Sequence, residues 1–395
     1  MKTRAALLLL ALVALALALT AACGPSDFAA EQQIASVRIL ASRAENDAVY
    51  AHPGQTVTLE TLAVDGRLTK PAPMRIYWLP FVCENPLNDE YYECFAAGAD
   101  GGTTGGFGAG DVVGVIDAGG EDAGGDDAGV GVGDTSDGGA NDAAVADAAA
   151  SDGSSGGSAS AGDDAGTQAP SPSPTLTFTV PSNIITSHPV VQGAPAPYGL
   201  LIAFNVACAG EVKITSIDPS GGAQQIPIAC VDSSGNALGP DDYVIGFTRV
   251  YVYDAVTNHN PEIDGVVFNG AETKTGVVGT ALPNPVDVQF PACVGSCPSV
   301  TLTVDVPQSS WEVDPLNKDS NGNPLHESLW VDYYNLQGGV DSEARLLYDS
   351  TAGQITGKGS TVNYTPPSSG SDTIWAVVHD SRDGVSWLQV NVTTK

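Results

Sequence analysis

The sequence predicts an all-β protein of two β-sandwich modules, the first interrupted by a long low-complexity insert. Three observations carry that reading. Short runs alternate apolar and polar residues with period two. Turns rich in Pro and Gly separate these runs at short intervals. Beyond the N-terminal segment no long amphipathic helix can be drawn, which argues for sandwiches over βαβ units.

Residues 1–22 read as an export signal. Lys2 and Arg4 form a positive start, and Ala5–Leu19 is a run of Ala, Leu and Val, short for a membrane span. The segment Leu19-Thr20-Ala21-Ala22-Cys23 resembles a bacterial lipobox, with Thr20 where that motif usually has Leu. The resemblance implies that Cys23 is lipidated, that 23–32 is a tether, and that the membrane is a partner. Several acyl chains together anchor far more firmly than one. Gly24, standing where Asp would retain an inner-membrane lipoprotein, implies the outer membrane.

The first module is expected over 33–97 and again over 173–252. Pro53-Gly54 turns into the alternating run Gln55–Glu60. Met74, Ile76 and Trp78 share one face of the next run. Thr175–Val180 alternates with period two, and Tyr198, Leu200, Ile202, Phe204, Val206 and Cys208 share one face of another strand.

Between the halves, 98–172 holds 22 Gly, 14 acidic residues and no Lys or Arg, with Phe107 its only aromatic. So little apolar area cannot offset ordering entropy, so this acidic Gly/Ala/Asp-rich insert is expected to be disordered. The second module is expected over 253–395. It contains the alternating run Val300–Val306 and a closing hairpin, in which 374–378 turns through 380–384 into 387–390.

These strand patterns resemble immunoglobulin-like β-sandwiches, with Trp78 in the position of the core Trp on the third strand. The usual inter-sheet Cys pair is missing, because 55–64 contains no Cys. The closing hairpin resembles polycystin-type modules. The chain as a whole resembles surface lipoproteins of myxobacteria and similar large-genome bacteria. That resemblance rests on the lipobox, SVRILASRAE at 36–45, MRIYWLP at 74–80, GFTRVYVYD at 246–254 and WAVVHDSRDGVSWLQV at 375–390. It implies a fold and an address, and no activity.

Charge narrows the partners. Asp and Glu total 46 against 15 Lys and Arg, a net charge of −31. Neutralising phosphates needs a basic face, so nucleic acid is excluded as a partner. An envelope protein or a glycan is the expected partner.

Six Cys follow Cys23, an even number in an exported chain, which suggests disulfides. Six allow 15 pairings. Pairing of neighbours gives Cys83–Cys94, Cys208–Cys230 and Cys293–Cys297. Zinc is disfavoured, because Cys293 and Cys297 are four apart and no second pair has ligand spacing.

Catalytic motifs are missing. There is no G-x-S-x-G, and His326-Glu327-Ser328-Leu329-Trp330 places Trp where a zincin helix needs its second His. The segment 353–359 falls one residue short of a P-loop. His379, Asp380 and Asp383 cluster near a strand end, which a hairpin turn explains.

Two features suggest ligands. Asp314, Asn317, Asp319, Asn321 and Glu327 set oxygen donors around a Gly turn, which resembles a Ca²⁺ loop interrupted by Pro324. Asn258-His259-Asn260-Pro261 resembles a cadherin linker more distantly. In Ser328–Leu336, Leu329, Val331 and Tyr333 share one face, leaving Trp330, Asp332 and Tyr334 on the other as a sugar-stacking platform. The expectation is a non-catalytic lipoprotein with a structural, adhesion or interaction role. The alternative is a carbohydrate- or calcium-binding surface module, and the third reading is an accessory domain of an extracellular hydrolase.

Overall fold

The computed structural model describes residues 32–45, 48–95, 170–215, 226–269, 271–274 and 285–395. The signal segment, Cys23, nearly all of the tether and all but the last three residues of the 98–172 insert lie outside the described residues. Among the described residues strands are the dominant regular structure, and the one α-helix, α1 (Ile184–Ser187), is a single turn.

The first sandwich has β1 (Val37–Ala44), β2 (Thr56–Asp65), β3 (Arg75–Glu84), β4 (Thr175–Thr179), β5 (Gly199–Cys208), β6 (Glu211–Ile214), β7 (Ile228–Val231) and β8 (Tyr243–Val252). One sheet runs β1-β2-β4 and the other β3-β5-β8, all antiparallel. In immunoglobulin lettering these are sheets A-B-E and C-F-G, so the module is immunoglobulin-like. Period-two patterning turns Val57, Leu59, Leu176 and Phe178 inward from one sheet. They meet Trp78, Leu201, Ala203, Val250 and Val252 from the other. Trp78 thus holds the core position expected of it.

β5 is buried at all ten positions. Its more apolar face, Leu200, Ile202 and Phe204, turns away from the sandwich core. It is covered by Leu79, Phe95 and the Cys83–Cys94 disulfide. Further along, Val206 and Cys208 lie under the β6–β7 hairpin, tied down by Cys208–Cys230. Exposing such side chains costs about 1.5–3 kcal/mol each, so the outer face needs these covers. The sheet supplies the cover from its own connections, and the disulfides hold it there.

The second sandwich has β9 (Gly265–Phe268), β10 (Ala271–Lys274), β11 (Val286–Phe290), β12 (Val300–Asp305), β13 (Val313–Lys318), β14 (Pro324–His326), β15 (Leu329–Asn335), β16 (Gly339–Val340), β17 (Ala344–Asp349), β18 (Gly353–Gln354), β19 (Val362–Thr365), β20 (Gly370–Asp380) and β21 (Val385–Thr394). A five-stranded sheet, β10-β9-β12-β19-β16, faces a six-stranded one, β11-β21-β20-β15-β17-β18. β11 joins β21 in parallel, and the other pairings are antiparallel. Leu302 and Val304 meet Leu329, Val331, Tyr333, Ile374, Ala376 and Val378 in a single core. The buried Tyr333 hydroxyl accepts the Val304 N–H at 3.1 Å, so its one polar atom is satisfied. β13 and β14 form a separate hairpin at the edge.

Candidate functional site

The outward face of the six-stranded sheet is unusually aromatic. Inward residues of β15, β20 and β21 fill the core, so the alternate residues must point out. Register stacks them in rows: Trp330 beside His379, Asp332 beside Val377, and Tyr334 beside Trp375. Val377 in turn pairs with Trp387. The first sandwich covers this face with its β1–β2 sheet. Trp375, 5% exposed, packs with Ile34 and Val64. Val377, fully buried, packs with Ala41 and Val385, and Leu40, Leu62 and Tyr334 lie against both groups. The Arg43 guanidinium lies 4.2 Å from the Trp387 ring centroid, donates to Ser386 Oγ at 3.1 Å and pairs with Glu60. Backbone joins the modules too, since Ile34 N–H donates to Asn335 O and Asn335 N–H to Gln32 O. Gly66 is required behind this seam, because a Cβ there would overlap the Ile34 carbonyl.

A buried polar latch beside the junction fixes the inter-module linker to the second sandwich. Arg382, in the β20–β21 turn, donates to Glu327 and Glu312 at 2.8 and 2.9 Å and to the Thr257 carbonyl at 3.0 Å. Asp380 accepts the N–H groups of Arg382 and Gly384, both at 2.7 Å, which sets the turn. The inter-module linker inserts two amides. Asn258, fully buried, donates to Asp380 and to the Arg382 carbonyl. Asn260 accepts the Val385 N–H and donates to the Ala44 carbonyl. Burial, and next the Asp380 carboxylate, push the Glu327 carboxyl up to about 7, against the pull of Arg382.

The structure assembles some of the expected residues and separates others. Cys83–Cys94, Cys208–Cys230 and Cys293–Cys297 are bonded, with Cα atoms 5.7, 6.0 and 5.4 Å apart. The five expected Ca²⁺ ligands do not converge. Asp314 accepts from the Leu316 and Asn317 backbone and from Asn317 Nδ2. Asp319 accepts from Asn321 N and from Asn323 N and Nδ2, closing the β13–β14 turn. Glu327 is buried against Arg382. The segment is a hairpin whose carboxylates satisfy their own turns, and among the described residues no group of three His, Cys, Asp or Glu is suited to a metal. The cadherin-like linker is corrected likewise, since its Asn side chains belong to the latch.

The structure places the three residues of the expected sugar platform in different surroundings. Tyr334 lies in the inter-module seam. Trp330 stacks on His379 at 5.2 Å, and His379 Nε2 lies 3.2 Å from Asp332. The other sandwich covers the Tyr334, Trp375 and Val377 part of this outward face, whereas Asp332 and His379 stay about 25% exposed.

A different aromatic cluster lies beside the junction, at residues the strand pattern did not single out for chemistry. Tyr50, Tyr198, Tyr251 and Tyr253 line a cavity of about 470 Å³ together with Asp383 and the loop 191–195. Tyr251 is on β8 and Tyr253 just beyond it. Residues 48–51 run beside the end of β8, with Ala51 N–H bonded to Tyr251 O and Tyr253 N–H to Ala51 O, which brings Tyr50 in. Tyr198 enters ahead of β5, its hydroxyl donating to Asp89, which also holds His188 Nε2 at 2.9 Å. Asp383 comes from the second sandwich. Only the recurrence of Tyr in Tyr-Val-Tyr at 251–253 hinted at this cluster in the sequence.

No family model and no curated protein matches the chain. Among solved structures, it is similar to the Clostridium thermocellum CbhA fibronectin(III)-like modules, at 10% identity over 90% of this chain and 94% of that one. The TM-score is 0.18, too low to carry an argument, so the fold rests on the strand order and register described above.

Proposed function

We propose that the protein is an outer-membrane lipoprotein, anchored through Cys23, that holds two joined β-sandwiches in the cell envelope in a non-catalytic interaction role. The observation that carries this reading is the junction. An apolar seam joins the two sandwiches, and a latch of buried side chains fixes the linker to the second sandwich and, through Asn260, to Ala44 of the first, the form expected of a structural or binding module. Three disulfides suit an oxidising compartment outside the cytoplasm. The lipobox-like segment supports the address, and the net charge of −31 argues against nucleic acid as a partner. From Cys23 the tether reaches Gln32, whose carbonyl is bonded to Asn335. Even fully extended, those residues span only roughly 30 Å. An anchor at Cys23 therefore keeps the junction close to the membrane surface.

Metabolic labelling with an alkyne fatty acid tests the anchor. Wild type should be labelled and sediment with the outer membrane, whereas Cys23→Ala should lose the label and leave the membrane fraction. Equal labelling of the two proteins would remove the anchor from the account.

A further inference from the structure

Four tyrosine rings close a circuit at the junction. Tyr50 contacts Tyr251 at 6.4 Å, Tyr251 contacts Tyr198 at 5.6 Å, Tyr198 contacts Tyr253 at 6.1 Å, and Tyr253 returns to Tyr50 at 4.9 Å. The interplanar angles are 76°, 61°, 45° and 54° in the same order, so the rings stand as walls rather than as one flat platform. All four rings line the same cavity of about 470 Å³, and cation–π attraction reaches ~6 Å from a ring centroid. Asp383 adds a carboxylate at the cavity, and no Lys, Arg or His lines it.

We propose that this cup binds a small organic cation, a quaternary or methylated ammonium group, held by the π faces of the four tyrosines and the charge of Asp383. The walls suit this ligand better than a pyranose, which stacks on an open, flat ring face. Burial first of all raises all four phenols above the ordinary tyrosine range, so the walls stay neutral. No Lys or Arg lines the cavity: Arg382 is engaged by Glu327, Glu312 and Thr257, and Arg249 lies over the Phe247 ring at 5.0 Å, from where its charge offsets part of the burial that raises the Asp383 carboxyl. Tyr50, Tyr198 and Tyr251 come from the first sandwich, Tyr253 from the linker just beyond β8 and Asp383 from the second sandwich, so the latch that fixes the β20–β21 turn also positions the charge. Asp383 sits at φ 72°, in the left-handed region, which Asn tolerates as well as Asp does. Asp383→Asn therefore removes the charge and keeps the turn.

Titration calorimetry of the mature chain with tetramethylammonium and choline tests the proposal, with 3,3-dimethylbutanol, the uncharged isostere of choline, and glucose as comparisons. Both cations should bind, and the alcohol and the sugar should bind at least about tenfold more weakly. Tyr251→Leu should weaken choline binding by about tenfold, while Tyr251→Phe, which keeps a π face, should stay within about threefold. Asp383→Asn should weaken it by several-fold and flatten its salt dependence. Phosphocholine distinguishes two sources of the same group: affinity equal to that of choline points to a headgroup, and weaker binding points to a free ammonium compound. No heat with either cation, equal affinity for the alcohol, or preference for glucose would each overturn the proposal.

Discussion

Glu327 carries the sharpest consequence at the scale of single residues. It is 1% exposed and shares Arg382 with Glu312, while Asp380 presses on it and His259 Nδ1 holds the far side of Glu312 at 2.7 Å. Its carboxyl rises from 4.5 to about 7 on folding. The folded state therefore prefers the protonated form. The stabilisation is whole below about pH 4.5 and is lost as pH rises through about 7, for a total of roughly 3 kcal/mol. Burial shifts Asp380 in the same direction. Wild type should thus melt at progressively higher temperature as pH falls from 8 to 5. Glu327→Gln, which keeps the shape and stays neutral, should lose most of that slope. Melting curves across this range decide it, and equal slopes in the two proteins would mean that Glu327 stays ionised in the fold.

At the scale of elements, the covers on β5 and the β13–β14 turn make separate predictions. The Cys83–Cys94 bond closes a short loop and holds Phe95 over Phe204, with ring centroids 4.7 Å apart. Replacing both cysteines with Ser should cost about 3 kcal/mol from loop entropy, with a further loss from the loosened cover. Chemical denaturation of the double variant measures it, and a loss under about 1 kcal/mol would mean the cover holds unaided. Asp319 is bonded within its own hairpin, so thermal melts with millimolar Ca²⁺ and with chelator should superimpose. A Ca²⁺-dependent rise removed by Asp319→Asn would restore the ion-binding reading. The strands themselves were legible. Thr175–Val180, Val300–Val306 and the closing hairpin follow period-two patterning, which is local. Which face of β5 turned inward was not legible, because both faces are apolar and the cover comes from elsewhere in the chain. The Ca²⁺ loop misled for a related reason. Asx side chains at alternate positions serve a turn as readily as an ion, and Arg382, which claims Glu327, lies 55 residues away.

At the scale of the whole molecule, the account turns on the junction. Its contacts join residues far apart in the sequence, such as Arg43 with Ser386 at a separation of 343 and Asn260 with Ala44 at 216. No local pattern announces such pairs, so the outward aromatics of β15 read as a free platform. The junction combines fully buried Val377 and Asn258, nearly buried Trp375, and a buried arginine with its carboxylates. Inter-domain contacts within a chain are more often polar and loose, and they leave domains free to move. This apolar seam couples the two sandwiches. Differential scanning calorimetry of the mature chain tests that coupling most directly. The account predicts a single endotherm for both sandwiches, with calorimetric and van't Hoff enthalpies in agreement. Two resolved transitions, one for each sandwich, would contradict it.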